Sequence, residues 1–353
     1  CYKCVDACGA RQAINFAQKP EEIELEVGAI IVAIGHELYD PSQLGEYGYG
    51  SYANVVTSLE LERLINAAGP TGGKLFRASD GREPHRIGFI QCVGSRDKRT
   101  GQIYCSNTCC ENAIKLAVQI KEKHPESEVY IFYTDIRAFG RGFEELYRKA
   151  RESWVNFIRG IPAEVIEDPE TKNLIVRAED TFLGEMVEID VDLIVLSVGM
   201  VPPKTLEELS RILHIPRGPH GFLLEAHPKL RSVDTHTAGI FLAGTCQGPK
   251  NIHDSVAQAK AAAASAAALL SKGRIRVESI IASVNQDLCL GCGLCGEVCP
   301  YGAMTVENKK SSVLEALCRG CGVCASACPE KAISMMHFTD KQVLVQVASA
   351  FQG

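Results

Sequence analysis

Two cysteine runs near the end of the chain constrain its fold more than any other feature. Cys289, Cys292, Cys295 and Cys299 are spaced C-x2-C-x2-C-x3-C-P, and Cys318, Cys321, Cys324 and Cys328 repeat the spacing. Four thiolates that converge on one inorganic cube need a backbone able to wrap its corners. Two-residue spacers allow this, and Gly291, Gly293, Gly320 and Gly322 permit the tight path. The spacing is that of two 4Fe-4S clusters, in which the fourth cysteine of each run serves the other cube. One site is therefore expected from Cys289, Cys292, Cys295 and Cys328, and a second from Cys318, Cys321, Cys324 and Cys299. Zinc ribbons and disulfides are the rival uses of such cysteines, and a doubled run closed by Pro300 and Pro329 suits them poorly.

The chain holds 16 cysteines in 353 residues, which in a secreted protein would suggest disulfides. The spacings, and the lack of a secretory signal in this sequence, favour metal ligation in a reducing, cytoplasmic compartment. The repeat extends past the ligands. "CPYGAMTV" and "CPEKAISM" follow the two runs, and "CGARQAINF" follows Cys8 in the same way. Cys1, Cys4 and Cys8 are spaced as the last three ligands of such a motif, with Gly9 in place of the usual Pro. The expectation is a chain that begins in the last third of another ferredoxin-like module, with one or two further clusters shared with preceding residues. A net charge of -6 gives no footprint for nucleic acid. No apolar run is long enough to span a bilayer, the Ala-rich stretch 257–270 being too short and too small-sided.

Between the cysteine-rich ends the pattern is α/β. "EIELEVGAIIVAIGHELYDP" (22–41) reads as an alternating strand, then a buried apolar strand ending at Gly35. "VEIDVDLIVLSVGMVPP" (187–203) repeats that layout, ending at Gly199. The stretch 237–273 is a third unit: strand, turn at Gly244, loop, then an Ala-rich helix. This trio resembles the two-dinucleotide-domain flavoproteins, the thioredoxin-reductase-like oxidoreductases. The resemblance implies that residues 32–35 cross back to an FAD lobe, and that 239–268 supply a loop and helix against the flavin. A helix N-terminus at the pyrimidine edge of the ring stabilises the charge of reduced flavin. The FAD contacts then expected are Gly35, Gly244, Thr245, Cys246, Asn251, His253, Asp254, Ser255, Val256 and Ala257. Thr245 stands where the family usually has Asp. The family's G-x-G-x-x-G fingerprint lies N-terminal to everything in this sequence.

Residues from about 74 to 199 read as the second dinucleotide-type lobe, with a first strand at 85–92, a helix at 111–123 and a second strand at 128–134. Phosphate binding needs glycines in the turn after that first strand, and only Gly94 is there. The turn continues instead as Ser95-Arg96-Asp97-Lys98-Arg99, with Cys105, Cys109 and Cys110 beyond it. With Cys92 these give C-x12-C-x3-C-C, a third complete four-thiolate set. Thiolates near a helix N-terminus are electrostatically favoured. Zinc accepts four thiolates as well as iron does; the neighbouring modules argue for iron–sulfur.

"CVGSRDKRTGQIYCSNTCC" (92–110), "GTCQGPKNIHDSVAQA" (244–259) and the doubled motif together resemble the heterodisulfide reductase A-subunit family, over essentially the whole chain. The resemblance implies an oxidoreductase subunit with one FAD and several 4Fe-4S clusters, working by electron bifurcation. FAD splits electron pairs that come from a hydrogenase or formate dehydrogenase subunit. One electron goes to ferredoxin. The other passes through a C subunit to a B subunit that reduces the coenzyme M–coenzyme B heterodisulfide. A homodimer of the complex is expected, without nucleic acid or a membrane span. No side chain reads as a nucleophile or general base. The rival enzyme is an NAD(P)H-dependent flavin oxidoreductase of the glutamate synthase small-subunit kind, or a related subunit of a sulfate reducer. The rival non-enzyme is a polyferredoxin wire.

The expected architecture is α/β: two interleaved dinucleotide-binding-type lobes plus an α+β ferredoxin-like domain. Residues 1–20 end the inserted module, 21–72 with 200–273 form the FAD lobe, 73–199 the cysteine-bearing lobe, 274–340 the ferredoxin domain and 341–353 a tail. Four residues or stretches each admit two readings. His36 is solvated or near the flavin. Asp254 is a cap or a contact. Cys246 is structural or redox-active. The basic stretch 137–151 is a solvated helix start or a docking face. Residues 67–84 read as a linker, and the alternating apolar tail as cover for an edge or a partner.

Overall fold

In a computed structural model, which describes residues 2–273, 279–315 and 317–351, the centre of the molecule is a five-stranded parallel sheet. Its order is Val55–Thr57, Leu193–Val198, Arg86–Val93, Glu128–Tyr133 and Asn156–Arg159. The middle strands are near-continuous apolar runs because both faces are covered. On one face Ile87, Phe89, Val129, Ile131, Leu193 and Val195 pack against the helices Ser58–Ile65, Cys109–Lys123 and Phe143–Glu152. On the other, Ile90, Phe132, Ile194 and Leu196 meet an antiparallel sheet of Pro162–Glu167, Leu174–Asp180 and Glu185–Val191. Val55–Thr57 and its helix, expected in the FAD lobe, thus complete the edge of the cysteine-bearing lobe. The helix is started by a Thr57/Glu60 capping box.

The second lobe is built on Ile30–Val32, which pairs in parallel with Ile240–Leu242. The helix Ile252–Lys272 packs on the latter strand through Ala262 and Ala266, whose small side chains permit close approach. The two lobes are joined by an antiparallel pair, Glu37–Leu38 with Met200–Val201, where the chain leaves and returns. Here the sequence expectation needs correction. Residues 22–27 form no ladder, and Ile23, Leu25 and Val27 are 71%, 74% and 62% exposed. An alternating stretch becomes a strand only beside a partner, and none of the described residues pairs with it.

The C-terminal unit has internal two-fold character. Ala282–Val284, before the first cysteine run, pairs antiparallel with Ile333–Met335, after the second, and a hairpin Met304–Glu307/Lys310–Val313 lies between. Its core contains Cys295, Cys318 and Cys324 alongside Ile281, Met304 and Ile333. In the tail, apolar at alternate positions along the sequence, Asp340–Ala350 is a helix, begun by a Thr339/Gln342 capping box and without a buried residue.

Candidate functional site

The two cysteine runs interleave. Cys289, Cys292, Cys295 and Cys328 line one cavity. Cys299, Cys318, Cys321 and Cys324 line another. The exchange of fourth cysteines expected from the spacing is thus present in the packing. Gly291 and Gly320 occupy matching places. Both have positive φ, and a Cβ at either would strike a backbone carbonyl, of Lys309 or Ile280 respectively. Backbone N–H groups point at sulfur: Ser311 to Cys289 at 3.4 Å, Ala282 to Cys318 at 3.4 Å and Ala303 to Cys299 at 3.3 Å. The N–H groups of Ser311 and Gly291 favour the Cys289 thiolate and lower its pKa. Cys292 and Cys321 are the exposed corners.

The turn after Arg86–Val93 is strained where it leaves the strand. Cys92 has φ +62°, Arg96 +57° and Asn107 +59°, left-handed conformations that side chains rarely adopt. Local bonds hold it so: Arg96 N–H donates to the Tyr104 carbonyl at 2.9 Å, Asp97 N–H to the Gln102 carbonyl at 3.0 Å, and Met200 N–H to Ser106 Oγ at 2.8 Å. Cys109 and Cys110 open the following helix, two residues earlier than expected. The result is one cavity lined by Cys92, Cys105, Cys109 and Cys110, with Arg96, Asp135 and Arg137 in its wall. Its enclosed volume, about 10 Å³, is comparable with the 10 and 40 Å³ of the two C-terminal cavities. Burial pushes the Cys92 thiol up to about 11 and Cys109 and Cys110 up as well. Without a cation these thiols stay protonated.

A single zinc draws its sulfurs to about 2.3 Å. Among the described residues no three Cys, His, Asp or Glu side chains gather tightly enough to share one ion. Four thiols that line a common space accept one zinc or a 4Fe-4S cube. The N-terminal cysteines assemble no site among the described residues: Cys4 is exposed on the helix Lys3–Cys8, Cys8 accepts a hydrogen bond from Ala13 N–H, and Cys1 lies outside the described residues.

Beside the four-cysteine cavity is an open cleft of about 1150 Å³. Cys109 and Thr108 belong to both walls. Of the expected contacts, Gly35, Thr245, Asn251, His253, Ser255 and Val256 line the cleft, as does His36. His36 Nδ1 is 2.9 Å from Thr245 Oγ1, and burial lowers its pKa, holding it neutral. Four expected contacts are not in the cleft wall. Gly244 turns its N–H to Gln258 Oε1 at 2.8 Å. Cys246 is wholly buried behind the turn, its thiol on the Val32 and Ala243 carbonyls. Asp254 sits at the third position of its helix, where its N–H is capped by Asn251 Oδ1 at 2.8 Å. Ala257 faces elsewhere.

Sequence reasoning missed several cleft residues. Lys250 Nζ donates to the carbonyls of Gly244 and Gly248 and to Gln247 Oε1, and burial lowers its pKa. Lys115 pairs with Glu62 at 2.8 Å. Glu111 is buried, one oxygen has no partner among the described residues, and burial with the nearby Asp254 charge pushes its carboxyl up to about 7. These residues come from separate segments and no local motif announces them. Arg137, in the basic stretch read as a solvated helix start or a docking face, is exposed and borders the cysteine cavity.

A family model described as a 4Fe-4S dicluster domain matches residues 282–335. The chain is 60% identical over 293 residues to an iron-sulfur A subunit of the CoB–CoM heterodisulfide reductase of Methanopyrus kandleri, covering 83% of this chain and 45% of that protein. It is 52% identical over 351 residues to the A subunit of the H2:CoB-CoM heterodisulfide,ferredoxin reductase of Methanothermobacter marburgensis, covering 99% and 53%. It is 52% identical over 295 residues to the A subunit of the H2/formate:CoB-CoM heterodisulfide,ferredoxin reductase of Methanococcus maripaludis, covering 83% and 45%. The chain spans about half the length of these curated relatives. Among solved structures, the thioredoxin reductase of T. acidophilum is similar at 16% identity and a TM-score of 0.43, over 69% of this chain and 65% of that one, too distant a likeness to carry an argument.

Proposed function

The chain belongs to the family of heterodisulfide reductase A subunits, and from that premise we propose that it is an electron-transferring, electron-bifurcating oxidoreductase subunit that binds FAD in the open cleft and three 4Fe-4S clusters in the three cysteine cavities. The observation that carries this reading is the shared wall: Cys109 borders both the cleft and the four-cysteine cavity. A lobe that would cradle the phosphates of a nicotinamide cofactor presents thiols there instead.

When bound, FAD exchanges electron pairs for single electrons. The residues of this chain hold and surround it. The N-terminus of the helix Ile252–Lys272, the largest helix dipole at the cleft, offers N–H groups and partial positive charge to the flavin ring. Lys250 adds a half-buried ammonium, and His36 with Thr245 a neutral hydrogen-bonding pair. Both fit a ring that gains negative charge on reduction. The cysteines would hold the clusters that relay single electrons, and the exposed corners Cys292 and Cys321 are where a soluble acceptor would approach. In this reading the partners are ferredoxin, the B and C subunits, and a hydrogenase or formate dehydrogenase subunit. The terminal acceptor is the CoB–CoM heterodisulfide.

Iron and flavin counts on the intact holoprotein test the reading. Cys109→Ala should remove about four irons and leave the ferredoxin-type signals and the flavin in place. Unchanged iron would show that the cavity holds no cluster. Rapid reduction of the flavin by NADH alone would favour the nicotinamide-dependent rival.

A further inference from the structure

The three cysteine cavities differ in the charge built into their walls. The cavity of Cys92, Cys105, Cys109 and Cys110 contains Arg96. The turn conformation fixes this residue, and its Nη2 donates to Asp135 Oδ2 at 2.8 Å. Its Nη1 is buried with no hydrogen-bond partner among the described residues. The cavity of Cys299, Cys318, Cys321 and Cys324 contains Arg319, whose Nε is likewise buried and unpartnered. The cavity of Cys289, Cys292, Cys295 and Cys328 has Glu330 and no guanidinium among the described residues of its wall, and the Lys310 ammonium beside it donates to the Cys289 carbonyl at 2.8 Å.

A buried guanidinium N–H without an acceptor costs free energy, so two such groups, each in the wall of a four-cysteine cavity, need an explanation. Sulfur is the acceptor that the rest of the wall supplies. Four thiolates around an oxidised 4Fe-4S core leave a net negative charge, which a further electron increases. A positive charge and an N–H donor in the wall favour the reduced form, and a carboxylate disfavours it. Arg96 also stands close enough to Cys92 to favour the thiolate against the upward push of burial.

We propose that Arg96 and Arg319 are potential-setting residues, each committing a buried N–H and its charge to the sulfurs of one cluster and so making that cluster easier to reduce. The inference rests on the reading that the Cys92 cavity holds a cluster. Asp135 opposes Arg96 by drawing its charge toward solvent, so the pair gives two variants of opposite sign.

The test is a redox titration of the intact holoprotein, followed by electron paramagnetic resonance and paired with iron counts. In Arg96→Gln one cluster's midpoint should fall, with the other two unmoved and the iron count unchanged. Arg96→Lys, which keeps the charge, should recover part of the fall. In Asp135→Asn the same midpoint should rise. Arg319→Gln should lower a different cluster's midpoint. A midpoint indifferent to both Arg96→Gln and Asp135→Asn overturns the proposal while leaving the cluster assignment intact. If Arg96→Gln loses iron, Asp135→Asn decides: an upward shift supports the proposal and no shift overturns it. An iron count unchanged by Cys109→Ala would overturn the cluster assignment and this proposal together.

Discussion

A lone cysteine in a flavin-type turn reads two ways from sequence, and burial decides between them. Cys246 is sealed beneath the turn with its thiol on two carbonyls, and burial raises its pKa. Cys246→Ala should leave flavin and iron contents unchanged and lower stability by about 1–3 kcal/mol, read from denaturant unfolding. Asp254 is equally ambiguous from sequence. The cap is Asn251, and Asn251→Ala should cost about 1 kcal/mol and soften the helix start at the cleft. Glu111 gives a pH signature. Its folded value, about 7, lies above that of an ordinary carboxylate. The unfolded chain therefore loses this proton first, and folding is penalised progressively as pH rises from about 4 to above 7. Glu111→Gln lifts that penalty, so its melting temperature should match the unsubstituted protein near pH 4 and exceed it increasingly toward pH 8. None of these three residues could be assigned by pattern alone, because burial is a property of what the rest of the chain places around them.

At the scale of elements, the stretches easiest to read were those with one solution. The strand expected at 85–92 is found at Arg86–Val93, at the centre of the parallel sheet. The doubled cysteine spacing fixed its own partners. The stretch 22–27 misled because alternation reports a preference for pairing and not the presence of a partner. The apolar residues of the tail suit either period, and the Thr339/Gln342 box starts a helix there. The turn that bears the cysteines is pressed against the adjoining strand end. A Cβ on Gly199 would lie 2.7 Å from the Gly94 carbonyl oxygen and 2.9 Å from Ser95 Cβ. Gly199→Ala should therefore displace that turn and cost up to about four irons, leaving the C-terminal clusters spectroscopically intact. A full iron count in that variant would mean the turn yields without disturbing the thiols.

Across the whole molecule, the C-terminal unit touches the flavin-type lobe through a close contact. A Cβ on Gly302 would fall 2.5 Å from the His214 ring, and burial together with the nearby Arg231 charge depresses the pKa of Arg319. Gly302→Val should loosen this docking. Cluster content should hold while electron transfer from flavin to the C-terminal clusters slows by tenfold or more, measured by stopped-flow absorbance. An unaltered rate would place the route elsewhere. The domain order along the chain gave no hint of this contact, since it joins residues far apart in sequence through side-chain shape alone.

The exchanged fourth cysteines also set an order of manufacture. On a ribosome the chain emerges from its N-terminus, so Cys289, Cys292 and Cys295 appear early and then wait. The first cavity to have all four of its sulfurs is the one begun later in sequence, completed when Cys324 emerges, because Cys299 is already present. The earlier-begun cavity is closed only by Cys328. A nascent chain stalled anywhere before that stretch exposes thiols with no finished place for iron, so the two centres are completed almost together, as the second cysteine run emerges.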